Sequence, residues 1–489
     1  MAPRQLVSVL SEVPDPRVAR TRTHSIGSVL TIALLAVING AEGWEDMAEF
    51  ADVREFWLGG FLDLSDGTPC ADTFRRVFEA IDTRALGAAL HRLVSDFTAD
   101  LTDKVVAIDG KTMRRSFDRR NGRSPLHMVT AWVAEQGISL GQLATEEKSN
   151  EITAIPELLA TIDVRGATVT IDAMGCQKKI AAAIIEGGAD YALALKDNHP
   201  GLRAEVEKVF EDIASMRRRP SKRNVCRVES KGHGRTEVRT VTVSTNVASL
   251  TDASDWNSLR SVVMVERERT VDERTSKEKA YYLSSLVVDA ATFEKRIRAH
   301  WSIENTLHWT LDVVFHEDTS RVRSRGGATN LAAIRKLALS LLKMEQSRPG
   351  KSMAMKRKRA GWEPDYAFRI LSMISVSHRP LTCTVGVDRS PARGVGRART
   401  RRRSAPLPAP NSRNWRAGRG PRRHPALGAG SAFVGACAVG SLTSSLIASR
   451  ITRVVSSSRC ASSSSHSATN CGQSVRWWNS LGARSCTVL

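Results

Sequence analysis

Apolar positions in the first hundred residues recur at helical intervals. Ile26–Ile38 is almost unbroken apolar sequence and predicts a buried helix, and Trp44, Met47, Phe50 and Phe56 continue the helix-like spacing. Pro69-Cys70-Ala71-Asp72-Thr73-Phe74 reads as a helix entry, with Asp72 or Thr73 available to cap free amides. No two consecutive strand-like runs occur here, so residues 1–103 are expected to form a helical domain.

The period changes at Val105. Val105–Ile108 is a short β-type run that stops at Asp109-Gly110-Lys111. Leu126–Ala134 and Ile138–Thr145 follow, split by Glu135-Gln136-Gly137 as in a hairpin. Asn150–Ile162 has helical spacing, Ala167–Ile171 is a β run ending at Asp172, Lys178–Glu186 is helical, Tyr191–Leu195 is strand-like, and Leu202–Met216 is an amphipathic helix. Three strands, then alternating helix and strand, predict an α/β fold in the order of the ribonuclease-H-like core. Strand-like runs return within about 222–290 (Thr236–Ser244, Ser261–Glu268, Ala280–Leu286) and read as a β-rich insertion. Helix resumes at Phe293–Val314 and Thr329–Met344, closing a domain of residues 104–376.

Charge changes the picture less than its total implies. The net charge of +21 points toward a polyanion, but 18 of the 72 basic residues and one of the 51 acidic ones lie in residues 377–489. The first 376 residues hold 54 basic residues against 50 acidic ones, so charge alone does not mark a DNA enzyme. Residues 377–489 have no Lys or Glu and are rich in Arg, Ser, Ala, Gly and Pro, which predicts a disordered basic tail. It reads either as an Arg-rich DNA-binding arm or as the out-of-frame product of a frameshift or lost stop codon. Cys70, Cys176 and Cys226 lie far apart, with neither metal-ligand spacing nor a disulfide framework. The N-terminus lacks a signal-peptide layout, and the apolar run Val29–Ile38 is too short to span a membrane. A cytoplasmic, nucleoid-associated protein with no membrane partner is expected.

The candidate chemistry lies in carboxylates. Asp109 and Asp172 each end a strand, where α/β sheets place ligands, although a strand-end Asp can also simply cap a turn. Glu304 lies in the helical segment His300-Trp301-Ser302-Ile303-Glu304-Asn305. Two sheet aspartates and a helix glutamate are what a two-metal phosphodiester site needs, and Mg2+ (with Mn2+ able to substitute) prefers such oxygen donors. His300, Glu304 and His308 also fall at i, i+4, i+8, but no water-activating Glu of the zincin kind accompanies them. Lys231-Gly232-His233-Gly234-Arg235 lacks a phosphate-loop pattern and reads as a basic turn. Arg321, Arg323 and Arg325 could meet phosphate or be ordinary surface charge.

Several stretches in fixed order carry a resemblance. They are Val13-Pro14-Asp15-Pro16-Arg17, Pro69–Phe74, Ile108-Asp109-Gly110-Lys111-Thr112, Thr170–Gln177, Ala194–Pro200, Lys231–Glu237, His300–Asn305 with Leu307–Val313, and Phe315-His316-Glu317-Asp318. Over residues 6 to about 375 the chain resembles insertion-sequence transposases of the ISAs-one type, close to the IS-four-like DDE group with a β insertion. The resemblance implies a transposase-associated N-terminal domain, a DDE catalytic domain, and Asp109, Asp172 and Glu304 as the catalytic, metal-holding triad. It implies metal-dependent cleavage of element ends and strand transfer into a target. The partner would be double-stranded DNA, both terminal inverted repeats and target, bound by a homodimer. Lys111, Arg114, Lys196 and Arg235 are the candidate donor-strand contacts, with Arg321 as a further phosphate contact. The Tyr, Arg and Lys that often flank the catalytic Glu are absent; Trp301, Arg298 and Leu311 are the nearest residues, and Asp312 has no assigned role. Two rivals remain at this stage: a catalytically inactive DNA-binding remnant, and a ribonuclease-H-like nuclease that cuts without rejoining.

Overall fold

A run of residues with one apolar face makes a stable helix only if something covers that face, and in the N-terminal hundred residues the helices cover one another. The computed structural model describes residues 2–374, apart from 146–149, 216–220, 222, 233 and 273; the tail expected at 377–489 lies outside the described residues. Six helices come first: α1 (Ala2–Ser11), α2 (Ile26–Asn39), α3 (Trp44–Val53), α4 (Glu55–Gly59), α5 (Ala71–Ala80) and α6 (Thr83–Val94). Helix α2 is buried from Ile26 through Ile38, as its unbroken apolar sequence demands, and Ser25 caps it by accepting from the Ser28 amide.

Among the described residues, nine strands then build one sheet. They are β1 (Val105–Thr112), β2 (His127–Val133), β3 (Ile138–Thr145), β4 (Thr168–Ile171), β5 (Asp190–Leu195), β6 (Val225–Gly232), β7 (Arg235–Ser244), β8 (Ser261–Val271) and β9 (Arg274–Ser284). The order across the sheet is β3-β2-β1-β4-β5-β9-β8-β7-β6. Strands β1, β4 and β5 are parallel neighbours, while β2–β3 and β6–β9 are antiparallel. The expected insertion is therefore an extension of the same sheet, joined through the antiparallel pair β5–β9. Helices α7 (Glu151–Leu159), α8 (Lys178–Glu186) and α9 (Pro200–Ser215) lie between the strands in sequence. After β9 come α10 (Ala290–His300), a π-helical turn (Ile303–His308), α11 (Trp309–Val313), α12 (Arg325–Met344), α13 (Met353–Trp362) and α14 (Pro364–Ser372).

The N-terminal helices do not form a separate body. Their core residues, among them Leu10, Leu34, Phe74 and Leu93, share one apolar cluster with Ile334, Leu337 and Leu339 of α12 and Ile370 of α14. Ala107 of β1 and Trp132 of β2 join that cluster, so it also covers one face of the sheet. Val106, Ile108, Val169 and Ile171 face the other way, into a second cluster with Ile155, Leu158, Ile180 and Ile184.

Four local expectations are corrected. The N-cap of α5 is Cys70, with no side-chain cap bond, and Asp72 instead pairs with Arg75 and Arg76. The spacing from Trp44 to Phe56 is broken at Arg54, leaving Phe56 99% exposed on α4. The helix expected over Phe293–Val314 is three pieces hinged on the π turn. Strand β6 escaped the apolar pattern because, as an edge strand, VCRVESKG buries none of its residues fully.

Candidate active site

Strand alternation aims the two aspartates. In β1, Val106 and Ile108 face α7 and α8, while Ala107 faces the helical cluster, so Asp109 falls on the side of Ala107. In β4, Val169 and Ile171 face α7 and α8, so Thr168, Thr170 and then Asp172 take the opposite side. The parallel register sets Ile108 beside Ile171, which makes Asp109 and Asp172 neighbours at adjacent strand ends. Asp172 also caps the turn after β4, where its Oδ1 accepts from the Met174 amide at 3.0 Å.

The third carboxylate comes from the helix laid over that face. Arg296 of α10 donates to Thr168 Oγ1 at 2.8 Å and to Asp103 at 2.8 Å, and His300 Nδ1 meets Thr170 Oγ1 at 3.0 Å. These contacts pin the end of α10 over β4. At the end of the π turn, His308 Nδ1 lies 3.5 Å from Asp109 Oδ2, so the same helical segment touches down again beside β1. Glu304 sits between these two points, on the exposed side of a turn whose Ile303 and Leu307 are buried. A π turn re-aims side chains relative to a regular helix and is common at functional sites.

The electrostatics follow from this crowding. Burial pushes the Asp109 carboxyl up to about 7 against the pull of the Gly110 amide, and the nearby charges of Asp172, Glu304 and Glu151 push the same way. Burial, reinforced by Lys111 and Lys336, holds His308 down to about 3, so the imidazole beside Asp109 is neutral at ordinary pH. Burial also lowers His300. A partly buried carboxylate facing other carboxylates and neutral imidazoles lacks a cation, and oxygen donors of this kind suit a hard divalent ion. Among the described residues, no three Asp, Glu, His or Cys side chains close into a finished metal cage. The oxygen donors present suit a hard divalent ion in their chemistry, and Glu304 is the exposed member of the three carboxylates.

Other predicted site residues are dispersed. Lys111 does not face solvent: it is 12% exposed and pairs with Asp312, with Glu317 at 3.0 Å and with Asp318 at 3.7 Å. Asp312 thereby gains a structural role as a Lys111 partner. Arg114 is exposed and lies 3.4 Å from Asp318. Lys196, Arg235 and Arg321 are exposed, at the end of β5, at the β6–β7 turn and ahead of α12. Two residues that sequence reasoning passed over, His127 and Glu151, form a buried pair behind Gly110, with His127 Nδ1 also 2.9 Å from Thr112 Oγ1. A Cβ on Gly110 would collide with both side chains, which gives the Asp-Gly step after the first aspartate a steric reason.

Comparison with known proteins gives the family. Residues 7–94 match the DDE_Tnp_1-associated family and residues 100–341 match the transposase DDE domain. YncI of Escherichia coli O157:H7, named as a candidate transposase, is 37% identical over 380 residues, covering 77% of this chain and 96% of that one. YhhI of Escherichia coli strain K12, named as an H repeat-associated candidate transposase, is 33% identical over 375 residues, covering 76% of this chain and 98% of its own. The piggyBac transposase in its synaptic complex with hairpin DNA superposes with a TM-score of 0.34 at 10% identity, over 76% of this chain and 79% of that one, too loosely to bear on the fold. The chain belongs to the DDE transposases, with the associated domain ahead of the catalytic one, and it is a DNA transposase.

Proposed function

We propose that Asp109, Asp172 and Glu304 are the catalytic carboxylates and that together they hold Mg2+, with Mn2+ able to replace it. The observation that supports this reading most is the pairing of two neighbouring strand-end aspartates with a glutamate on a π turn anchored at both strands. The bound metal supplies activation of the attacking oxygen and stabilisation of the leaving one. The protein's own residues do the rest. Asp109 and Asp172, at rigid neighbouring strand ends, would hold the metal in a fixed place. His300 and His308, both neutral, hold the Glu304 segment without competing for the carboxylate charge. Arg114, Lys196, Arg235 and Arg321 contact phosphates, which sets register without reading sequence. Lys111 acts through structure, not through DNA. The substrates are the element's terminal inverted repeats and target DNA in the cytoplasm, and the active species is a homodimer on DNA.

The test uses Asp109→Asn, Asp172→Asn and Glu304→Gln, which remove charge but little volume. Each is expected to lower magnesium-dependent end cleavage by about 10²–10³-fold or more while DNA binding persists. Full cleavage by any one of them removes that residue from the triad. A wild-type chain that binds ends but never cleaves them is an inactive remnant, and one that cleaves without strand-transfer products is a nuclease.

A further inference from the structure

The half of the sheet beyond β5 has two unlike faces. Val241, Val243, Val263, Val265 and Tyr282 lie on the face that Phe293 and Ile297 of α10 cover. Carried outward past α10, the same alternation puts Arg239, Arg267, Arg269, Arg235 and Arg274 on that face. Arg239 closes on Glu294 of α10 at 3.3 Å, and Arg267 lies over the Trp301 ring at 5.9 Å, three residues before Glu304. The arginine stripe therefore begins at the segment that carries the catalytic glutamate. Glu237 and Glu278, which share this face, are taken by Arg239 and Arg267. Arg235, Arg269 and Arg274 are exposed and form no ion pair with any described residue. Pairing sets Arg269 opposite Glu237, and both Arg235 and Arg274 opposite Val271. The outermost pair thus lies four residues beyond Arg267, roughly 14 Å along the strands.

The other face of these strands is closer to balance. Lys277 pairs with Glu268 at 2.7 Å, Lys279 with Glu266 at 3.6 Å, and Lys231 with Glu229 at 3.2 Å. Arg227 on that face is also drawn to Glu268. The lysines on the face away from the active site thus meet carboxylates, whereas on the face that continues from it Arg239 and Arg267 are paired and Arg235, Arg269 and Arg274 are left open.

We propose that the Arg235, Arg269 and Arg274 face of the β6–β9 extension is a docking surface for the phosphate backbone of the DNA duplex whose scissile end lies at the carboxylates. The proposal rests on the assignment of Glu304 to the active site. A duplex leaving that site along the stripe meets three uncompensated guanidiniums within two residues of strand, about 7 Å, so they can reach neighbouring phosphates. Arginine suits the task because its planar fork meets phosphate oxygens in a bidentate manner.

The experiment compares two triple variants of the full chain with equal loss of charge. One carries Arg235→Gln, Arg269→Gln and Arg274→Gln; the other carries Lys231→Gln, Lys277→Gln and Lys279→Gln. Binding to a fluorescent duplex of arbitrary sequence is measured by anisotropy as salt is raised. Each phosphate contact contributes about 0.9 to the slope of log K against log salt, so the arginine triple should flatten the slope by about 2–3. The lysine triple should leave it within about 0.5 of wild type. Equal flattening by both, or an unchanged slope in the arginine triple, overturns the proposal. So does a change of oligomeric state without DNA at constant slope, which would give the face to a second copy of the chain. Failure of the active-site assignment would appear separately, as cleavage surviving in Asp109→Asn, and would not move the salt slope.

Discussion

Two groups of ion pairs in this protein use the same side chains in opposite surroundings. Beneath the active site Lys111 is held by Asp312, Glu317 and Asp318, with Lys111 12% and Glu317 2% exposed. On the β8–β9 hairpin Lys277 meets Glu268 at an equally good distance, but at 74% and 38% exposure. Burial alone would raise the Glu317 carboxyl, yet Lys336, Lys111 and Arg335 hold it below its ordinary value. The hairpin pair keeps its water and gives up little when broken. Equal geometry thus carries unequal energy, and the buried group lies two residues from Asp109, where it ties β1 to the segment that follows Glu304.

That difference can be broken from its strong side. Lys111→Met removes the cation and leaves Glu317 buried beside Asp312 and Asp318. Breaking a buried pair on one side costs about 3–5 kcal/mol, so urea unfolding should show a loss of that size. Cleavage should fall with it, while Lys111→Arg, which keeps the charge, should recover much of the stability. A loss below about 1 kcal/mol in the methionine variant would mean that Lys336 and Arg335 satisfy Glu317 unaided.

How much of this was legible in the sequence depends on the range of the interaction that fixes each part. The strand ends at Asp109 and Asp172 follow from local alternation: Val106, Ile108, Val169 and Ile171 state which face is buried, and each aspartate takes the other. The order of helices and strands was readable for the same reason. The π turn was not, because Ile303–His308 has ordinary helical composition and its extra residue is selected by contacts at both ends, His300 to Thr170 and His308 toward Asp109. Lys111 is a case of the same kind. Its partners are some 200 residues away in sequence, so a lysine two positions after a strand-end aspartate looks like a DNA contact until the fold brings Asp312 and Glu317 to it. The continuity of the sheet is not legible in the sequence because β5–β9 pairing depends on register and not on composition.

A half-buried cation with no carboxylate partner among the described residues offers a third point on the comparison. Lys343 of α12 lies over the Trp132 ring at 5.5 Å, and burial, reinforced by Lys356, brings it down to about 8. In the unfolded chain a lysine titrates near 10.4. Between these values the unfolded state binds more protons than the folded one, so stability rises with pH across the window and the full cost of the buried charge is present below pH 8. Lys343→Met should therefore stabilise the protein by roughly 1–2 kcal/mol at neutral pH, after allowance for the lost contact with Trp132. Thermal melts should show that advantage shrinking as pH rises toward 10. An advantage that is flat with pH would trace to packing instead of charge.

The smallest effect belongs to the exposed hairpin pair, and it tests whether burial is the controlling variable. Lys277 and Glu268 face each other directly across β8 and β9, on the face turned away from the arginine stripe. Their attraction is screened by water and offset by the entropy of holding two long side chains, so exposed pairs of this kind contribute about 0.2–1 kcal/mol. A double-mutant cycle with Lys277→Ala and Glu268→Ala isolates that coupling from changes in strand propensity. The coupling should fall within that range and fade as salt approaches about 1 M, where the screening length is near 3 Å. A salt-insensitive coupling of several kcal/mol would show that register in the sheet extension depends on its surface charges. The contrast between the two regions would then lie in sequence separation, since Lys277 and Glu268 are joined by one hairpin whereas Lys111 and Glu317 are brought together only by the complete fold.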